Sequence, residues 1–248
     1  MRHLLRPMVF TVSALWATGA AAYPFYAPPP PKEDAPMFSG DAELGFNQLS
    51  GNTDSRTLIG KTRLTWITGE LTHSLSGEVR NVSKEGNTSA EQYLVAGRER
   101  YDFNGPHYLF GFARWEKDRF AGYDQQLSAI GGYGRQIIEG ERHYLSLEAG
   151  PGYRHDRLRD ANNERLAVAY SALDYRWELS PNSDVKQEVS VEYTNQNTTS
   201  RTLTALTTRL NARLSLRLSH EVKHNSLPPE DASERTDHTT SASLLFRW

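Results

Sequence analysis

The pentapeptide HEVKH, His220 to His224, has the letters of the H-E-x-x-H zinc-hydrolase signature. In that signature a helix sets two histidines one turn apart on a single Zn²⁺ while the glutamate activates a bound water. Here the neighbours alternate: Leu214, Leu216, Leu218, His220 and Val222 stand against Ser215, Arg217, Ser219, Glu221 and Lys223. That is the period of a strand. Four residues along a strand span about 13 Å, too far for two imidazoles to share one zinc. Glu221 also falls on the face opposite the histidines. The series Leu203, Leu206, Leu210, Leu214 and Leu218 is compatible with a helical stripe, but Thr202, Thr204, Thr207 and Thr208 favour a strand, and Leu216 lies off the stripe. The expectation is therefore no metal site, with His220 and His224 as interfacial side chains near one rim of a sheet.

Other chemistry-bearing letters are weaker still. Glu188 and Glu192 share one strand face and could be read as an acid/base pair, yet acidic residues on a wet strand face are ordinary. The Gly131–Gly134 run lacks the helix and Lys-Ser/Thr end of a phosphate loop, so it reads as room for curvature or for a neighbouring side chain. No G-x-S-x-G elbow occurs. The acidic stretches RDANNE and PPEDASERTD read as solvated loops rather than cation sites, and the sequons at Asn81, Asn87 and Asn197 carry no weight in a bacterial chain. Absence of cysteine removes thiol chemistry and Cys-ligated zinc. No catalytic, cofactor-binding or metal-ligating residue is expected.

The elements that would position these residues all share one period. In FSGDAELGFN, Phe38, Ala42, Leu44 and Phe46 alternate with Ser39, Asp41, Glu43 and Asn47, and the same pattern returns around Leu75, Leu147 and Val191. Turn signals divide the chain into twelve such runs, near 38–49, 55–67, 71–82, 91–103, 107–117, 125–137, 142–156, 165–179, 184–194, 201–210, 213–224 and 236–248. Runs of this length suit a tilted strand crossing a bilayer. Those beginning at 107, 165 and 201 carry apolar residues on both faces and are the least clear.

Connections alternate as well. TGE, NGP, IEGE, SPNS and the region of Asn211 are short, whereas SKEGNTSA, DRFAGYD, LRDANNE and NSLPPEDASER are long and polar; 50–54 and 195–200 are intermediate. Outer-membrane barrels show this asymmetry. Trp66, Tyr101, Phe103, Trp177, Phe246 and Trp248 fall near short-turn ends, and Trp115 and Tyr153 near long-loop ends, as two interfacial girdles require. The wet faces carry charges of both signs, among them Glu43, Lys61, Arg80, Arg98, Arg114, Glu116, Glu148, Arg217, Glu221 and Lys223. In a membrane barrel these line the lumen, either as a water path for small solutes or as a salt-bridged plug.

The ends fix the compartment. Arg2, His3 and Arg6 precede an apolar segment from Met8 to Trp16, and Ala20, Ala21 and Ala22 supply a cleavage site, so residues 1–22 read as a secretory signal peptide. Residues 23–37, YPFYAPPPPKEDAPM, read as a proline-rich periplasmic leader. Removing Arg2 and Arg6 leaves 26 basic residues of the 28 against 30 acidic, which gives no sign of nucleic-acid binding. Mean hydropathy is strongly negative, which argues against membrane helices but not against a barrel, because only alternate residues of a barrel strand meet lipid.

The segments SGNTDSRTL, YLFGFARWEKDRFAGYDQQLSAIGGYGRQ, LEAGPGYRHD and HNSLPPE with RTDHTTSASLLF resemble the YdiY-like family of salt-induced bacterial outer-membrane proteins, over about 38–248. The resemblance implies an outer-membrane barrel of unassigned molecular function, with expression tied to osmotic conditions, and supplies no catalytic residues. The end LLFRW is similar to the C-terminal barrel-insertion signal, with Trp248 where phenylalanine is more usual.

The reading is thus an all-β, transmembrane, antiparallel up-and-down barrel of about twelve strands over 38–248, located in the bacterial outer membrane after export. Its expected partners are outer-membrane lipids, lipopolysaccharide and, through Trp248, the barrel assembly machinery. The expected role is non-enzymatic and porin-like, in envelope maintenance or small-solute passage. A membrane-embedded lipid-modifying enzyme and a soluble ligand-binding barrel are the alternatives.

Overall fold

The computed structural model describes residues 37–49, 55–84, 87–103, 105–118, 123–158, 163–227 and 235–248. The expected signal peptide at 1–22, the expected leader at 23–37 apart from Met37, and parts of the connections lie outside the described residues. The strands are β1 (Phe38–Leu49), β2 (Ser55–Thr68), β3 (Leu71–Lys84), β4 (Asn87–Asp102), β5 (His107–Asp118), β6 (Tyr123–Glu139), β7 (His143–Leu158), β8 (Glu164–Ser180), β9 (Ser183–Tyr193), β10 (Thr198–Arg209), β11 (Leu214–Asn225) and β12 (Thr236–Arg247). Each pairs antiparallel with its chain neighbours, and β1 pairs with β12 to close the ring. Closure leaves no open sheet edge, which a bilayer does not tolerate.

Alternation decides which face is which. Leu44, Phe46, Leu58, Leu75 and Val79 point outward with 44–69% of their surface exposed, while inward neighbours such as Glu43 and Arg80 keep 3% and 2%. A soluble barrel would show the reverse, its oily face inside. Trp66, Tyr101, Phe103, Trp177, Phe246 and Trp248 are all exposed at the short-turn end. His73 stacks on Trp66 and His143 on Trp177, with ring centroids 5.3 and 5.6 Å apart, so imidazoles thicken this girdle.

Local chemistry sets the turns. Gly69 and Gly105 sit in short turns with φ of 60° and 90°, where a side chain is strained. Asn211 Oδ1 accepts from the backbone N–H of Arg213 and of Leu214, closing the β10–β11 turn. The 195–200 junction is tighter than expected, because β10 begins at Thr198. Thr194 Oγ1 accepts from Asn197 N and donates to Asn197 O, tying four residues into a turn. Polar letters such as Thr199 face inward there and continue the ladder without an oily signal. β4 likewise begins earlier than expected, at Asn87 rather than 91.

The Gly131–Gly134 run makes room for neighbouring groups, one of the two expectations held for it. Ile130 pairs with Gly152 and pairing resumes at Tyr133 with Ala149. Between them the β6 and β7 backbones approach so closely that a Cβ on Gly132 or Gly150 would strike main chain. Gly134 leaves the space that the Tyr108 ring fills. At the closing seam Gly40 and Trp248 exchange N–H to carbonyl bonds of 3.1 Å, and the Trp248 ring lies where a Cβ on Gly40 would stand.

Candidate functional site: the lumen

The lumen is built from the inward residue of every strand, and β5 shows its layering. Tyr108, Phe110, Phe112, Arg114, Glu116 and Asp118 all face inward and are buried. Nearest the short turns, Arg100 lies over the Tyr108 ring at 3.7 Å, and Tyr108 Oη donates to Glu148 at 3.0 Å. Glu148 also takes Arg98 from β4, and the Arg98 guanidinium lies 5.1 Å from the centre of the Phe110 ring. Next along β5 comes an apolar layer in which Phe110, Phe112, Ile130, Val168 and Tyr170 pack together.

Above that layer charges reach across the barrel. Glu116 accepts from Arg201 of β10 at 3.1 Å and from Lys223 of β11 at 3.4 Å. In a ring of twelve, β5 and β11 are six places apart in either direction, so this pair spans a full diameter. Arg114 donates to Glu192 of β9 at 2.7 Å. On the other wall Glu221 accepts from Lys61 of β2 at 2.6 Å and from Arg80 of β3 at 2.9 Å, and Arg217 donates to Glu43 of β1 at 2.6 Å. Glu116, Glu192 and Glu221 retain 2%, 1% and 2% exposure, so water does not run freely past them. Ions this buried are tolerable only because each meets counter-charges in good geometry.

A cavity of about 80 Å³, the volume of a few waters, lies beside Lys61, Ser74, Glu78, Arg98 and Glu221. It borders Leu94, Ala96 and Leu203, so its wall is mixed.

The residues singled out from the sequence take clear places. His224 is exposed near the long-loop rim, as expected, whereas His220 is exposed at mid-strand and not at a rim; their Nδ1 atoms lie 2.8 Å from the hydroxyls of Thr236 and Thr240, while Glu221 is buried in the lumen on Lys61 and Arg80. The letters of HEVKH are thus divided between lipid face and lumen. Glu188 and Glu192 are also lumenal, the first beside Lys186 and the second on Arg114, so neither carboxylate meets lipid. The charges expected on the wet faces line the lumen. What the letters did not reveal was Arg201 on β10 and the apolar layer, which β5 and β8 supply together with Ile130 of β6; β5, β8 and β10 are the runs that looked apolar on both sides. Asn197, read only as a sequon, is buried and bonds Thr199, Asn225, Ser226 and Leu227 to lock the rim.

Solved structures share this architecture. The translocator domain of the autotransporter NalP from Neisseria meningitidis matches with a TM-score of 0.52 at 12% identity, covering 87% of this chain and 90% of that one. The COG4313 outer-membrane channel from Pseudomonas putida F1 matches with a TM-score of 0.51 at 10% identity, covering 85% and 94%. At such identities the likeness is one of fold: a closed barrel of the outer-membrane type. In sequence, the uncharacterised protein YdiY of Escherichia coli K12 is 37% identical over 209 residues, covering 84% of this chain and 82% of the relative. With residues 42–248 matching the family model described as a protein of unknown function, DUF481, the chain belongs to that family.

Proposed function

We propose that this protein is a non-catalytic barrel of the bacterial outer membrane whose lumen is held shut by cross-barrel ion pairs, and that it serves the envelope as a rigid wall element rather than as a constitutively open pore. The observation that carries this reading is Glu116, joined to Lys223 on the diametrically opposite strand and to Arg201 beside it. A water path at that depth requires those bonds to part. Bulk salt does not part them, because screening acts weakly on buried pairs. The link to osmotic stress rests on the family resemblance of the sequence. In this reading the lipid-facing girdles meet phospholipid on one side and lipopolysaccharide on the other, and the assembly machinery reads the strand ending in Trp248.

Small-solute passage is the second reading, favoured by the cavity beside Lys61 and Glu78, which a modest separation of the pairs would enlarge. Vesicles separate the readings. Folded protein in sealed vesicles is expected to hold a gradient of a small sugar, and incubation with radiolabelled phospholipid or lipopolysaccharide to leave the lipid profile unchanged. Rapid sugar release would overturn the closed wall, and a new lipid product would overturn the non-catalytic assignment.

A further inference from the structure

The outer face of the barrel is not uniform at mid-depth. On the wall from β1 to β7, Leu44, Leu75, Val79, Val95 and Leu147 are exposed there, as hydrocarbon requires. From β9 to β12 the corresponding row is polar. Register places Gln187 opposite Thr204, Thr204 opposite His220, and His220 opposite Thr240, one unbroken line over four strands. Each lies toward the middle of a strand of 11 or 12 residues, so the line sits roughly 10–15 Å from either rim. Thr204, His220 and Thr240 are exposed and Gln187 is half-buried. Exposed hydroxyls elsewhere at this depth stand singly, as Thr62 does, which donates to the Asp41 carbonyl.

The row satisfies itself only in part. Thr204 Oγ1 donates to Gln187 Oε1 at 2.6 Å, and His220 Nδ1 lies 2.8 Å from Thr240 Oγ1. That leaves the other imidazole nitrogen and further capacity on the amide and hydroxyls, and lipid tails offer these groups no partners. Carboxamide, hydroxyl and neutral imidazole each donate and accept. A partner carrying the same row therefore complements it. Two copies inserted in one membrane share their orientation, and a two-fold axis along the membrane normal keeps every residue at its own depth, so the centre of the row, Thr204 and His220, meets the same residues of the other copy.

We propose that the outer face of β9 to β12 is the interface of a homodimer, with the Gln187–Thr204–His220–Thr240 row at its centre. The proposal rests on the barrel lying in a membrane and not on the lumen being closed, so a leak in the vesicle experiment leaves it standing.

The chain contains no cysteine, so Thr204→Cys creates a protein with a single thiol. Oxidation of isolated outer membranes is expected to convert most of that variant to a disulfide-linked species of twice the monomer mass, and to leave Leu75→Cys monomeric. No cross-link at position 204, equal cross-linking at 75, or a band joining position 204 to a different protein would overturn the self-pairing. A second variant, Gln187→Leu/Thr204→Leu/His220→Leu, makes the row fit lipid and is expected to fold, as heat-modifiable migration reports. It should sediment as a monomer in mild detergent where the parent is a dimer; a parent that is already monomeric, or a variant that stays dimeric, contradicts the proposal.

Discussion

The two halves of the β5 lumen face fill the same barrel by different physics. Tyr108, Phe110 and Phe112 occupy volume, and Phe110 and Phe112 pack around the Tyr170 ring with centroids 5.8 and 5.3 Å away. Arg114 and Glu116 instead span distance, bonding to β9, β10 and β11. Apolar packing is non-directional and spreads over many atoms. The charged half depends on a few bonds whose loss leaves buried charge behind. Both halves stabilise the barrel, but in this account only the charged half ties opposite walls together.

Glu116→Ala should break that comparison most severely. It removes the carboxylate that Arg201 and Lys223 share, and removing one member of a buried ion network costs about 3–5 kcal/mol. Urea unfolding of the lipid-embedded barrel measures the loss, and the same variant should become leaky. Phe112→Ala is expected to cost about 3 kcal/mol by leaving a cavity, while the vesicles stay tight. A leak from Phe112→Ala as large as that from Glu116→Ala would erase the distinction between the halves. Gly134→Val, which forces the Tyr108 ring to move, should cost about 1–3 kcal/mol in the same unfolding experiment. The smallest effect belongs to the outer face: His224→Ala should change stability by less than about 0.5 kcal/mol, and a chelator should not lower the unfolding midpoint. One position away from the lumen residue Lys223, the same strand is then nearly indifferent.

The fold was largely legible because a membrane barrel writes both of its surfaces into a period of two. Leu214 to Val222 already separated lipid face from lumen, and the division of His220 from Glu221 followed from it. The strands least clear in sequence were those whose lumen face is itself apolar. Phe110 and Phe112 on β5, Val168 and Tyr170 on β8, and Leu203 and Ala205 on β10 hide the alternation by putting buried hydrophobics opposite exposed ones. Partners across the lumen were illegible for another reason. Period assigns a residue to a face, but the meeting of Glu116 with Lys223, 107 positions later, depends on how far the ladder is sheared when β12 closes on β1. No local pattern encodes that stagger. The early start of β10 was missed because Thr198 and Thr199 continue the ladder beyond the lipid-facing band, where alternation no longer separates oil from water.

Single-channel recording in planar bilayers tests the closed lumen most directly. Folded wild-type protein, confirmed by heat-modifiable migration, should give no conductance steps across the physiological range of voltage and salt, whereas Glu116→Ala should give intermittent steps that favour anions. Regular steps from the wild type, or a Glu116→Ala variant that is folded and silent, would contradict the account.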